Sequence, residues 1–162
     1  MLILKWLLIS GAVLALAVIV AGRLSLLEGS APADLGVRDG RLKPPSPKAN
    51  SVSSQAQLHP QHPRQAQAQI APLRYAGDGA AALARLQALV EATPGARVVK
   101  READYLYATY TTPVLRFVDD VEFWLDPADR VIHVRSASRL GESDLGANRA
   151  RIEALRAKFE PR

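Results

Sequence analysis

Phe117-Val118-Asp119-Asp120-Val121-Glu122-Phe123, then Val134-Arg135-Ser136-Ala137-Ser138-Arg139-Leu140-Gly141, then Ser143-Asp144-Leu145-Gly146-Ala147-Asn148-Arg149, is the stretch on which the fold turns. The first two runs carry β-branched and aromatic residues at the two-residue period of strands. Between them lies Asp126-Pro127-Ala128-Asp129, which is turn chemistry, so the strands Val114–Leu125 and Arg130–Ser138 form a hairpin. The third run opens a helix over about Ser143 to Phe159, capped by Ser143 or Asp144, with Leu145, Ile152, Leu155 and Phe159 on its inner face.

Working outward, Asp78 is placed as an N-cap, and Leu83, Leu86, Leu89 and Val90 recur at helical spacing until Pro94-Gly95 ends the element. Strands follow at Arg97–Arg101 and Asp104–Thr111. The order α-β-β-β-β-α contains no βαβ crossover. It predicts an α+β two-layer sandwich, a sheet of about four antiparallel strands with both helices on one face, over residues 70–162.

Strand alternation places Leu115, Phe117, Asp119, Val121 and Phe123 on one face, and Arg116, Val118, Asp120, Glu122 and Trp124 on the other. Asp119 is then a carboxylate on an apolar face, where it must be paired. On the neighbouring strand, His133, Arg135, Ala137 and Arg139 share one face and Ile132, Val134, Ser136 and Ser138 the other. Either Arg135 or Arg139 is expected to offer a bidentate fork to Asp119 or Asp120. Asn148 falls between Leu145 and Ile152 on the buried helix face and needs hydrogen-bond partners of its own.

The candidate cluster is therefore Asp119, Asp120, Arg135, Ser136, Ser138, Arg139, Asp144 and Asn148. It reads either as an internal network locking strand, turn and helix in register, or as a groove in which arginines face an anionic group of a ligand. No catalytic signature is present. Ser136 and Ser138 alternate away from His133, and Asp119 and Asp120 point to opposite faces, both poor arrangements for hydrolysis or shared acid–base work. Asp119, Asp120, Glu122 and His133 have no convergent metal spacing. The leading expectation is a non-catalytic binding module, with no cofactor or metal. A hydrolase-like enzyme or small-ligand binder using the Asp/Arg/Ser cluster is the alternative.

Before the domain the composition changes twice. Residues 24–69 are rich in Pro, Gln, Ser and Ala and read as linker, with the Asn50 to Ser54 run as a latch against the domain. His59 and His62 lie among prolines, as in a solvated loop. Residues 2–22 are apolar apart from Lys5, Ser10 and small glycines, and at about 1.5 Å per residue they nearly cross a 30 Å hydrocarbon core. Residues 1–23 are therefore expected to be an uncleaved signal-anchor. Lys5 and the amino terminus place that end in the cytoplasm, which makes this a single-pass inner-membrane protein with a periplasmic domain. A cleaved signal peptide, cut near Ala21-Gly22 or Ala31-Pro32-Ala33, is the rival reading, and it gives a secreted product.

The 162 residues, 48% of them hydrophobic, hold one domain besides this segment. The net charge of +5 is scattered among acids without stacking aromatics, which disfavours nucleic acid as a partner. The expected partners are the membrane, through residues 2–22, and an envelope protein or small ligand. With no cysteine, the chain forms neither a disulfide, nor a thiolate metal site, nor an acylated lipoprotein anchor.

Several of these motifs occur together elsewhere. The runs FVDDVEF and VRSASRLGESDLGANRARIE, with Asp104-Tyr105, Asp34-Leu35-Gly36-Val37 and Asn50-Ser51-Val52-Ser53-Ser54, resemble the bacterial and plastid family called domain of unknown function 1499, over about residues 34–159. That resemblance implies an envelope-type protein and no established activity. It also implies cysteines at the positions of Pro45 and Ser51, both of which this chain lacks.

Overall fold

A computed structural model describes residues 2–160. The apolar N-terminal segment is one helix, α1 (Leu2–Arg23), long and apolar enough to span a membrane, with an 18-residue window of mean hydropathy 2.5 that is exposed throughout and with Gly22 buried at its end. The domain that follows is α+β, with a single antiparallel sheet. In chain order its elements are β1 (Ser51–Ser53), a short helix α2 (Gln65–Ala68), β2 (Leu73–Arg74), α3 (Gly79–Glu91), β3 (Ala96–Arg101), β4 (Tyr105–Thr111), β5 (Val118–Asp126), β6 (Val131–Ser138) and α4 (Ala147–Phe159). The sheet order is β1-β6-β5-β4-β3, and β2 also pairs with β6.

The four expected strands are present, with one shift of consequence. β5 begins at Val118 rather than Val114, because residues 112–117 form a loop in which Arg116 takes a left-handed φ of 58°. Its hairpin with β6 closes as the turn chemistry implies, Asp126 Oδ1 accepting from Ala128 N at 2.9 Å. α3 is capped by Asp78, which accepts from Ala81 N at 2.7 Å. α4 starts later than Ser143, which leaves Leu145, expected on its inner face, outside the helix and exposed. Gly146 occupies its N-cap in left-handed conformation, and Asp144 instead accepts from Gly146 N at 3.0 Å and Asn148 N at 2.8 Å.

The register sorts the side chains into two faces. Asp119 lies opposite Tyr110 and Ser138, Val121 opposite Ala108 and Ser136, and Phe123 opposite Leu106 and Val134. α3 and α4 cover this side through Leu83, Leu86, Val90, Ile152, Leu155 and Phe159, and these residues make one core with the strands. Each such side chain taken fully out of water contributes roughly 1.5–3 kcal/mol.

The opposite face carries Asp120, Glu122, Thr109, Tyr105 and Arg135, and it too is buried. Its cover is the segment before β1. Gly36 N donates to Glu122 Oε1 at 2.8 Å, and Pro44 O accepts from Arg135 Nε at 3.0 Å. Gln55 holds this arm in shape, accepting from Leu42 N at 2.8 Å and donating to Gly40 O at 2.9 Å.

The structure thus departs from the compositional expectation of a linker over residues 24–69. Leu42, Val52, Ala56 and Ala68 are buried, and β1 extends the sheet on the free edge of β6. The physical reason is that these residues are held by backbone and amide hydrogen bonds to a pre-existing strand edge and a polar sheet face. Such an attachment leaves no hydrophobic periodicity to read. The Asn50–Ser54 latch is real and extensive: Ser138 N donates to Asn50 O at 3.0 Å, Ser54 N donates to Val134 O at 2.9 Å, and Val134 N donates to Ser54 Oγ at 2.9 Å.

Candidate functional site

The eight candidate residues do not form one site. The sheet divides them, with Asp119, Ser136, Ser138, Asp144 and Asn148 on the helix side and Asp120, Arg135 and Arg139 on the arm side.

On the helix side Asp119 is buried and its partner is Arg151 of α4, whose Nη2 donates to Asp119 Oδ2. The expected partner from β6 is not used, because Arg135 and Arg139 point to the other face. The Arg151 guanidinium lies over the Tyr110 ring at 4.6 Å, and its Nη1 donates to Asn148 Oδ1 at 2.7 Å and Ser136 Oγ at 3.0 Å. Ser136 Oγ also donates to Asn148 Oδ1. The Asn148 amide donates to Asp144 Oδ2 at 2.9 Å, Ser138 Oγ at 3.0 Å and Asn50 O at 3.1 Å. Burial alone raises the Asp144 carboxyl, but the donated hydrogen bonds of Asn148 and Gly146 outweigh it and hold its pKa below the usual value. Asn148 is fully enclosed, and as expected for its position it joins the helix start to β6 and to the latch.

On the arm side the expected Arg–Asp fork forms between Arg139 and Asp120. Nε donates to Oδ2 at 2.9 Å and Nη2 to Oδ1 at 2.8 Å. Tyr107 adds its hydroxyl to Asp120 Oδ1 at 2.5 Å, and burial, then this hydrogen bond, pushes its phenol up to about 12. Arg135 pairs with Glu122 at 3.4 Å, while Tyr105 donates to Glu122 Oε1 at 2.8 Å. Burial lowers the proton affinity of Arg135, with the Glu122 charge opposing it. Burial, followed by that same charge, raises Tyr105.

Sequence reasoning missed Arg151, Glu122 and Asn50 as members. A signal for Arg151 existed in its position three residues after Asn148, which puts both on one helix face. Asn50 Nδ2 donates to Gly141 O at 2.8 Å and so ties the latch to the turn before α4.

His133 meets a serine that was not considered. Ser54 Oγ lies 3.1 Å from His133 Nδ1, and Asp126 Oδ2 lies 3.7 Å from Nε2. This row does not make a nucleophile. Ser54 is buried, its oxygen is engaged by the Val134 backbone, and the imidazole is stacked on Trp124 at 5.3 Å. Asp126, Asp129 and His133 bring three candidate metal-ligand atoms within 4.8 Å of one another at the hairpin end, where Asp126 already serves as the turn acceptor.

On the helix side the cluster borders a cleft of about 250 Å³ between the 112–117 loop and the turn leading into α4, and on the arm side Asp120, Arg135 and Arg139 border another of about 220 Å³. Thr112, Phe117, Leu140 and Leu145 line the helix-side cleft, with Asp119 and Ser138 at its polar side.

A family model described as a protein of unknown function, DUF1499, matches residues 41–159. The chain belongs to the DUF1499 family. The DUF1499 match starts at the residue before buried Leu42 and ends at Phe159, the last residue of α4, so it takes in the arm's inner half and β1 with the rest of the sheet. No curated protein and no solved structure matches the chain. Where the DUF1499 resemblance implies cysteines at the positions of Pro45 and Ser51, Ser51 Oγ instead accepts from Ser46 N at 2.8 Å.

Proposed function

We propose that the protein is a single-pass, envelope-facing module of the inner membrane that binds its ligand rather than converting it. The observation that carries this reading is the pairing of Asp119 with Arg151, Asp120 with Arg139 and Glu122 with Arg135. A carboxylate whose oxygens are taken up by an enclosed guanidinium is poorly placed to reach a reacting proton on a substrate. The ligand is assigned to the helix-side cleft, which is lined by apolar side chains with Ser138 and the Asp119 edge as orienting polar groups, a composition suited to binding. The address is supported by α1, with Lys5 on the amino-terminal side.

Two measurements test the proposal. Alkaline phosphatase fused after Arg162 is expected to be active, and a green fluorescent protein fusion dark; the reverse pattern refutes the orientation. A photoreactive benzoyl-phenylalanine at Phe117 is expected to trap an envelope component in cells, and Ala147→Phe, which fills the cleft, is expected to abolish the adduct. An adduct indifferent to Ala147→Phe contradicts binding in the cleft.

A further inference from the structure

The end of α1 is not a free hinge. A Cβ added at Gly22 would lie 2.6 Å from Leu115 O, so the last turn of the helix touches the backbone of the 112–117 loop. After the turn, Glu28 pairs with Arg116 at 3.0 Å, and a Cβ at Gly29 would lie 2.8 Å from Arg139 Cβ and 3.0 Å from Leu140 Cγ. Two loops of the domain, 112–117 and 139–146, are thereby held against the carboxyl end of the helix. With 22 residues at about 1.5 Å each, the helix has the length of the roughly 30 Å hydrocarbon core, which puts Gly22, and Leu115 beside it, at the level of the lipid headgroups.

These loops expose apolar side chains where an aqueous surface gains nothing from them. Leu145 is 97% exposed and Val114 51%, and Leu24, Leu26 and Leu140 are exposed around them. Leu145 and Leu140 line the same cleft as Thr112 and Phe117, so they belong to one end of the domain. Ser25, Arg116 and Leu145 hold left-handed backbone with φ of 61°, 58° and 53°, a conformation costly for a branched side chain such as leucine. The 112–117 loop is closed at its base, Thr112 N donating to Phe117 O and Phe117 N to Thr112 Oγ1, both at 2.9 Å, which projects Pro113 to Leu115 outward. The far end of the sheet is unlike this one. Its hairpin carries Asp126, Asp129 and Arg130, and the nine residues of β5 set it about 30 Å away at roughly 3.3 Å per residue.

We infer that the domain lies flush on the bilayer that α1 crosses, with Val114, Leu140 and Leu145 inserted beside the helix at the headgroup–acyl boundary, and that the cleft opens onto lipid. This deepens the proposed function by naming membrane lipid as the ligand class, and it rests on the reading of α1 as a span. Interfacial amphipathic helices bury their apolar faces about 5–10 Å into that boundary, and the leucines here stand next to a helix that already holds them at that level.

The absence of cysteine makes the test direct. Single substitutions Val114→Cys, Leu145→Cys, Ala128→Cys and Leu14→Cys in the full chain are labelled with nitrobenzoxadiazole and reconstituted in phosphatidylethanolamine–phosphatidylglycerol vesicles. The lipid carries a nitroxide in two parallel sets, high on the acyl chain to report positions 114 and 145 and near its end to report position 14. Labels at 114 and 145 are expected to shift to the blue and lose at least about twofold in emission, as the label at 14 does, while the label at 128 is unaffected. Leu145→Asp is expected to weaken quenching at 114. If position 14 is quenched and positions 114 and 145 behave like 128, docking is overturned and the span stands. If position 14 is unquenched, the span fails and docking with it. Protection of 114 and 145 from aqueous iodide without nitroxide quenching overturns the inference in favour of a second copy of the chain on this face.

Discussion

Val52→Ala measures whether the segment before α2 belongs to the domain. Val52 is 4% exposed, sits in β1 opposite Ser136, and joins the core formed by the helices and the central strands. Replacing it with alanine removes two carbons from a packed site. At about 0.8 kcal/mol per buried carbon the transfer loss is roughly 1.6 kcal/mol, and incomplete collapse of the space left behind brings the total to about 2 kcal/mol. The same change in a solvated linker costs nothing beyond a few tenths. Urea unfolding of a chain running from Gly29 to Arg162, followed by Trp124 fluorescence, is the assay. With a slope of about 2 kcal/mol per molar, the midpoint is expected to fall by roughly 1 M at constant slope. A midpoint equal to that of the parent refutes the packing of β1 into the core.

Other outcomes follow from the same geometry. A chain beginning at Gln69 loses β1, the arm and the Asn50 acceptor for Asn148, and its unfolding midpoint is expected far below that of the chain from Gly29; equal midpoints contradict this. Burial holds the His133 imidazole below its ordinary value of 6.5 despite Asp126 and Asp129, so the unfolded chain binds the proton more readily than the folded one. Stability from this group is present above pH 6.5 and lost as the pH falls below it, and His133→Asn is expected to flatten the slope, leaving the contribution of His59, which shifts in the same direction. An unchanged pH profile in the variant contradicts the assignment. Asn148→Ala removes one hydrogen-bond partner each from Asp144, Ser136 and the Asn50 carbonyl, and is expected to destabilise by about 1–3 kcal/mol in the same urea assay.

The parts of this fold that were legible are those whose signal is local. Asp78 three residues before Ala81, the Asp126–Asp129 turn and the alternation that turned Asp119 inward each follow from one short stretch, and each stands where the pattern put it. Asn148 was legible for the same reason, as a polar residue on an apolar helix face. β1 and β2 were not. Three and two residues long, they are strands only because β6 offers a free edge, and nothing within Ser51–Ser53 or Leu73–Arg74 announces that edge. The partner of Asp119 was not legible, because alternation gives the face a side chain takes and not the layer it meets there. Alternation placed arginines of β6 near the acidic pair, whereas the side chain that reaches the buried face comes from the next layer, on α4. The burial of the charges on the second face was not legible, since their cover is an irregular arm without a pattern of its own.

The central claim, that the acidic strand and its arginines are paired internal structure and not a reaction centre, is tested most directly by a cycle of Asp119→Ala, Arg151→Ala and the double variant. Both side chains are nearly enclosed, so removing either leaves the other's charge buried and is expected to cost about 3–5 kcal/mol. The double variant is expected to cost no more than the worse single one, because the second substitution removes the stranded charge. Single variants as stable as the parent, or more so, would contradict the claim and make the cluster a site kept for a ligand.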